Sequence, residues 1–207
     1  MSQTAEASTG SLDANRDYTA TGIPNKKLFT WAFLAMESVL FGALLTTHLI
    51  CRVSFVPPTN YQDFFDIPFT SFSTFVLLGS TLLMGFSLEA ISEGRLKKTR
   101  LMLLGTILAG LLFVACQIYE TNTLVRIHGL TLRSHIFGST FYLLLGTHAL
   151  HVMAGIFWLL GWLVYSFTGK MTPNHIPDVG AAGHYWRFIC IVWFVIFPAA
   201  FLTEYIS

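Results

Sequence analysis

The sequence predicts an all-α integral membrane protein built as a bundle of five transmembrane helices. Three observations predict it. Of the 207 residues, 54% are hydrophobic and 11% charged, where an ordinary soluble domain is about one quarter charged, and the mean hydropathy is +0.61. Five apolar segments each approach the roughly 20 residues a spanning helix needs. The segments between them alternate between rich and poor in Lys and Arg, as loops on opposite sides of a membrane do.

Residues 1–27 are polar and rich in Ser, Thr, Ala and Asn. They hold no apolar run that could serve as a signal-peptide core and no Arg-rich amphipathic pattern, so they read as a tail, mobile or docked on a partner. The membrane domain is then 28–207, with spans at 28–50, 67–91, 101–120, 136–166 and 186–206. Pro57, Pro58 and the polar run from Thr59 to Asp66 mark a loop. Pro68 suits the first turn of the second helix. The fourth segment exceeds the minimum length, which predicts tilt or projection from the bilayer. Pro198 is expected to kink the fifth. Cys51, Cys116 and Cys190 form no C-x-x-C pair and read as small packing residues.

Arg16, Lys26, Lys27, Arg95, Lys97, Lys98, Arg100 and Lys170 fall on one side of this topology, and Arg52, Arg126 and Arg133 on the other. The excess puts the N-terminus in the cytoplasm and the C-terminus outside. Arg187, at the inner end of the last span, is placed to snorkel. Trp31, Trp162 and Trp186 fall near the same surface, as an aromatic belt would. A formal net charge of +1 gives no reason to expect a nucleic-acid partner.

The polar groups inside apolar segments carry the chemistry. Glu37 lies about nine residues, or roughly 14 Å, into the first span. A charged acid there costs about 2.5–3.5 kcal/mol on insertion scales, so it is expected to be protonated, paired or hydrated. It reads either as a proton-handling or lipid-contacting carboxyl or as an acid hydrogen-bonded between helices. His148 and His151 lie mid-span, three residues apart on one helix face. They could ligate haem or a metal, or hydrogen-bond to a neighbouring helix, for instance to Glu37 or a hydroxyl. A ligand site needs further donors at one depth, and His48, the remaining in-span histidine, lies nearer the outer end of the first helix. The partner count favours the structural reading. Gln117 and Glu120 close the third span, Glu204 the fifth and Glu89 the second; end-of-helix carboxylates ordinarily meet headgroup water. His128, His135, His175 and His184 fall in predicted loops. Paired glycines in the spans would allow close helix approach. No phosphate loop, nucleophile elbow or H-E-x-x-H occurs.

The run Gly138-Ser-Thr-Phe-Tyr-Leu-Leu-Leu-Gly-Thr-His-Ala-Leu-His-Val-Met-Ala-Gly155 resembles the G-S-T-F-F-x-x-x-G-x-H-G-x-H-V-x-x-G signature of subunit III of haem–copper terminal oxidases. Met36-Glu-Ser-Val-Leu-Phe41 resembles that family's S-E-x-x-F-F, placing Glu37 on its intramembrane carboxyl. Gln117-Ile-Tyr-Glu120 resembles its Q-x-x-E, and Tyr185-Trp-Arg-Phe-Ile-Cys-Ile-Val-Trp193 its closing Y-W-H-F-V-D-x-V-W. The resemblance spans 28–206 and suits the five-helix bacterial form. Two positions depart: Arg187 stands where the family has His, and Cys190 where it has Asp.

The resemblance implies an accessory, non-redox subunit with no catalytic residue and no metal ligand of its own, haem and copper belonging to partner subunits. It implies direct packing on subunit I, with subunits II and IV in the same complex, in a bacterial plasma membrane. It also implies bound phospholipid and support of proton supply to subunit I. On this reading Glu37, His148, His151, Gln117 and Glu120 form or support a buried polar set, while Arg187, Trp186 and Tyr185 meet lipid headgroups or the interface. A related subunit of a nitric oxide reductase system is the nearest alternative. A haem-b quinol oxidoreductase anchor and a transporter are alternatives of another class.

Overall fold

The computed structural model describes residues 25–53, 66–128, 136–169 and 171–202, and all regular structure among them is helical. The helices are α1 (Asn25–Val53), α2 (Ile67–Ser92), α3 (Leu96–His128), α4 (Ile136–Phe167) and α5 (Ile176–Phe197). All five predicted spans are present, and five helices are long and apolar enough to cross a membrane. The predicted tail up to residue 24, most of the Thr59–Asp66 loop, His135, Lys170 and Glu204 lie outside the described residues.

Helix ends follow local chemistry. Asp66 caps α2 by accepting from the Phe69 N–H at 3.2 Å, and Pro68 occupies the first turn, where its missing N–H has no partner to lose. At the other end Gly94 takes φ +69°. Arg95 N–H then bonds Ala90 O at 2.8 Å and Gly94 N–H bonds Ile91 O at 3.0 Å, a Schellman closure that needs a residue free of Cβ. This three-residue turn delivers the chain directly into α3. Gly169, with φ +71°, follows the end of α4, its N–H bonding Ser166 O at 3.4 Å.

Two spans differ from expectation. α3 begins at Leu96 and runs to His128, not 101–120, because Lys97, Lys98 and Arg100 are good helix formers that hydropathy alone excludes. Arg100 also reaches α4, donating to Ser166 O at 2.7 Å with its guanidinium 4.8 Å from the Phe167 ring centroid. It satisfies a carbonyl in the last turn of α4, where a cation is favoured. α5 begins at Ile176, ten residues before the predicted start. Gly180, Ala181, Ala182 and Gly183 lower its hydropathy, yet Gly183 is there for packing: a Cβ on it would lie 3.1 Å from Met84 Cε. Pro198 ends the α-helix, and the chain continues as one π-helical turn, Pro198–Leu202, since the missing N–H breaks the bonding pattern.

Packing divides the chain inside α1, between Val39 and Leu40. In the larger unit α2 packs on α3, α3 on α4, α4 on α5, and α5 back on α2, closing a ring. Large apolar side chains such as Phe75, Leu82, Leu150 and Phe157 lie exposed on its outward faces, as suits a bundle solvated by lipid.

Trp186 occupies the middle of this ring. It is 1% exposed, and its Nε1–H donates to Ser80 Oγ of α2 at 2.9 Å. Its ring lies against Gly110 of α3 and Gly155 of α4, where added Cβ atoms would come within 2.6 Å and 3.0 Å. The expected place for Trp186 in an interfacial belt is thereby corrected. The longer α5 puts it about 15 Å along the helix, where only two glycines leave room for an indole.

Candidate functional site

The functional residues named from the sequence lie on four helices. His148, mid-way along α4, is 1% exposed and donates from Nε2 to Ile189 O of α5 at 3.2 Å. A carbonyl can only accept, so that nitrogen carries the proton. Phe41, Phe113 and Trp193 enclose the ring, with centroids 6.2, 5.9 and 4.9 Å away. His151 turns elsewhere: half-buried, it donates from Nδ1 to Thr147 O of its own helix at 2.7 Å, with Phe41 edge-on at 5.0 Å. One turn of helix thus sends the two imidazoles to different carbonyls.

His48 is fully buried near the far end of α1, its Nδ1 3.1 Å from Thr140 Oγ1. Thr140 precedes His148 by eight residues of one helix, about 12 Å, so the in-span histidines sit at two depths. Among the described residues no group of three or more His, Cys, Asp or Glu side chains converges.

Glu37 is buried on α1, as is Leu34 one turn earlier. Gln117 and Glu120 are buried too. Glu120 is hydrogen-bonded to Thr70 Oγ1 of α2, so it is not the headgroup-solvated carboxylate expected of a helix end; α3 continues for two further turns beyond it. Gln117 has neither amide atom hydrogen-bonded among the described residues and lines a groove of about 360 Å³ between α3 and α4 with Tyr142 and Asn122. His148 is not joined to Gln117 or Glu120 by a hydrogen bond.

Of the three residues expected at the lipid interface, Arg187 is exposed, but Tyr185 and Trp186 are buried. Tyr185 donates its hydroxyl to His151 O at 3.2 Å and packs on Trp158 at 5.7 Å. The cause is the same longer α5, which turns these two positions toward α4 and α2. His184 lies on α5, where it bonds Gly180 O at 2.7 Å. His175 is half-buried, not solvated: Thr172 N–H donates to its Nδ1 at 3.3 Å and its Nε2 lies 3.2 Å from Tyr165 Oη.

Sequence reasoning missed the polar seam between α2 and α5. Trp186 bonds Ser80, and Trp193 Nε1–H donates to Thr74 Oγ1 at 2.9 Å. Between them Cys190 Sγ lies 3.7 Å from Leu77 O. The available signal was spacing: two tryptophans seven apart facing two hydroxyls six apart, which an antiparallel helix pair brings into register.

Against known proteins, the family described as cytochrome c oxidase subunit III matches residues 28–204. The chain is 34% identical over 180 residues to cytochrome c oxidase subunit 3 of Bacillus subtilis, covering 86% of each chain. It is 33% identical over 172 residues to quinol oxidase subunit 3 of Bacillus spizizenii, covering 83% of this chain and 84% of the relative. It is 29% identical over 172 residues to cytochrome bo(3) ubiquinol oxidase subunit 3 of Pseudomonas putida, covering 83% of each.

Proposed function

The chain belongs to the cytochrome c oxidase subunit III family, and from that premise we propose that it is the accessory, non-redox subunit III of a bacterial proton-pumping haem–copper terminal oxidase. The whole complex reduces O₂ to water; this chain alone does not turn over. It is a multi-pass membrane protein that packs directly on subunit I, with subunits II and IV in the same assembly. Haem and copper belong to the partners. Its membrane is the bacterial plasma membrane, with the N-terminus cytoplasmic and the C-terminus outside.

The observation that carries this reading is the family match over residues 28–204. The local geometry supports the structural role of the histidines: His148 ties α4 to α5 through Ile189, and His151 bonds within its own helix. Glu37, buried in an apolar helix, is the carboxyl through which the subunit supports proton supply to subunit I. Glu120 ties α3 to α2 through Thr70. Bound phospholipid completes the assembly, with Arg187 as the headgroup contact.

The test is an oxidase complex purified with and without this chain. Without it, the haem spectrum and the initial rate of O₂ reduction are retained, while activity decays faster during turnover. Loss of the haem spectrum itself would overturn the accessory role. Glu37→Gln in the intact complex is expected to reproduce part of that faster decay, and an unchanged decay would remove Glu37 from proton supply.

A further inference from the structure

Gln117 is 6% exposed, and among the described residues nothing bonds either its amide nitrogen or its amide oxygen. It lines the groove of about 360 Å³ between α3 and α4, together with Asn122 of α3 and Tyr142, Gly146 and Ala149 of α4. We propose that this groove seats a transmembrane helix of another subunit of the complex, which presents a neutral hydrogen-bonding side chain (Asn, Gln, Ser or Thr) to Gln117. The proposal rests on the multisubunit reading given above and names the face and the chemistry of one contact.

The orphaned carboxamide calls for a partner. A buried polar group without one bears its full desolvation penalty, and native structures seldom leave a group in that state. Gln117 lies nine residues before Arg126, where its span ends, or about 13 Å of helix. Leu145, in the same groove, lies nine residues after Ile136, where the α4 span begins, at the matching depth. Acyl chains that meet the groove there neither donate nor accept a hydrogen bond.

The lining selects the chemistry. Among the described residues no charged or imidazole side chain lines the groove, so a charged partner would enter hydrocarbon without a counterion. A carboxamide both donates and accepts, and a neutral amide or hydroxyl answers it.

The shape selects a helix. The groove runs from Val114 to Val125 along α3, eleven residues or about 16 Å, which is about three turns of a facing helix. Gly110 and Gly155 make room for Trp186, whereas a Cβ on Gly146 would meet nothing within 4 Å. With Ala149 one turn on, the exposed Gly146 opens the α4 backbone to close approach.

The experiment uses the purified oxidase complex with a photo-cross-linking residue at position 118, where Ile118 lines the groove and is 60% exposed. The expected adduct joins this chain to one other subunit, at a transmembrane segment with Asn, Gln, Ser or Thr at the depth of Gln117. Adducts with lipid alone, with a second copy of this chain, or with a segment lacking those residues would overturn the proposal and leave the oxidase reading standing. A chain that purifies with no other subunit would overturn both. Gln117→Met keeps the length of the side chain and removes its donor and acceptor. It is expected to release the cross-linked subunit about three- to tenfold more readily in detergent. An apolar replacement of the partner's residue in the same background should restore retention, since neither group is then left unpaired. Retention equal to wild type in Gln117→Met, or a double variant that releases as readily as the single, would overturn the pairing. In the dissociated chain Gln117→Met is expected to raise the unfolding temperature, because it removes an unpaired polar group. A lowered temperature would show Gln117 bonded within its own chain and overturn the proposal.

Discussion

Trp186 Nε1–H donates to Ser80 Oγ at 2.9 Å, and Ser80 donates in turn to Leu77 O of its own helix at 2.5 Å. Two turns along α5 the arrangement repeats: Trp193 donates to Thr74 at 2.9 Å, and Thr74 to Thr70 O at 2.8 Å. Each hydroxyl is thereby locked as acceptor for an indole, because its single proton is held by a backbone carbonyl. These relays fix the register of α5 on α2 without a charged group.

Replacing Ser80 by Ala leaves a buried indole N–H without an acceptor, which costs about 1–3 kcal/mol. Trp186→Phe removes the donor instead but loses ring contacts as well. The double variant is expected to be less destabilised than the sum of the two singles, by about 0.5–3 kcal/mol of coupling. Thermal unfolding of the four proteins in one detergent measures it, and strict additivity would show that the bond contributes nothing.

Gly110 faces the same ring. A Cβ there would sit 2.6 Å from Trp186 Cη2, and the indole cannot retreat without leaving Ser80. Gly110→Ala is expected to cost about 1–3 kcal/mol by overpacking. Gly146→Ala on α4, with open space where the Cβ would go, serves as the control and should leave the unfolding temperature nearly unchanged. Equal effects at the two glycines would refute the close fit around Trp186.

Thr70 supplies the hydrogen bond to buried Glu120. Thr70→Val, close to isosteric, strands that carboxyl and should destabilise by about 1–3 kcal/mol. Thr70→Ser restores the hydroxyl and most of the stability. Unfolding curves in which Val and Ser behave alike would show that the bond does not hold α2 to α3.

Much of the fold was legible because spanning a bilayer leaves a strong signal: all five segments, Pro68 in the first turn of α2, and the long α4 follow from hydropathy and turn chemistry. The ends of α3 and α5 were not. Lys97, Lys98 and Arg100 at one and the small residues from Gly180 to Gly183 at the other lower the hydropathy of turns that are fully helical. The error at α5 moved Trp186 and Tyr185 from the interface into the bundle. At the site, the signature around His148 identified the family, but no pattern within one helix reveals that its partner is the carbonyl of Ile189. Backbone acceptors on another helix carry no residue-type signal.

His148 also gives the sharpest separation between a structural and a ligand role. His148→Ala opens a cavity between Phe113 and Trp193 and is expected to cost about 2–5 kcal/mol. The haem spectrum of whatever complex assembles should be unaltered.

The central claim, a non-redox subunit of a haem–copper oxidase, is tested most directly by purifying the tagged chain from membranes in mild detergent, identifying its partners, and then dissociating it and measuring haem and copper per chain. The account predicts stoichiometric co-purification with a haem–copper subunit I and a colourless, copper-free chain after dissociation. A Soret band or stoichiometric copper that stays with the dissociated chain would contradict it, as would a nitric oxide reductase large subunit in place of subunit I.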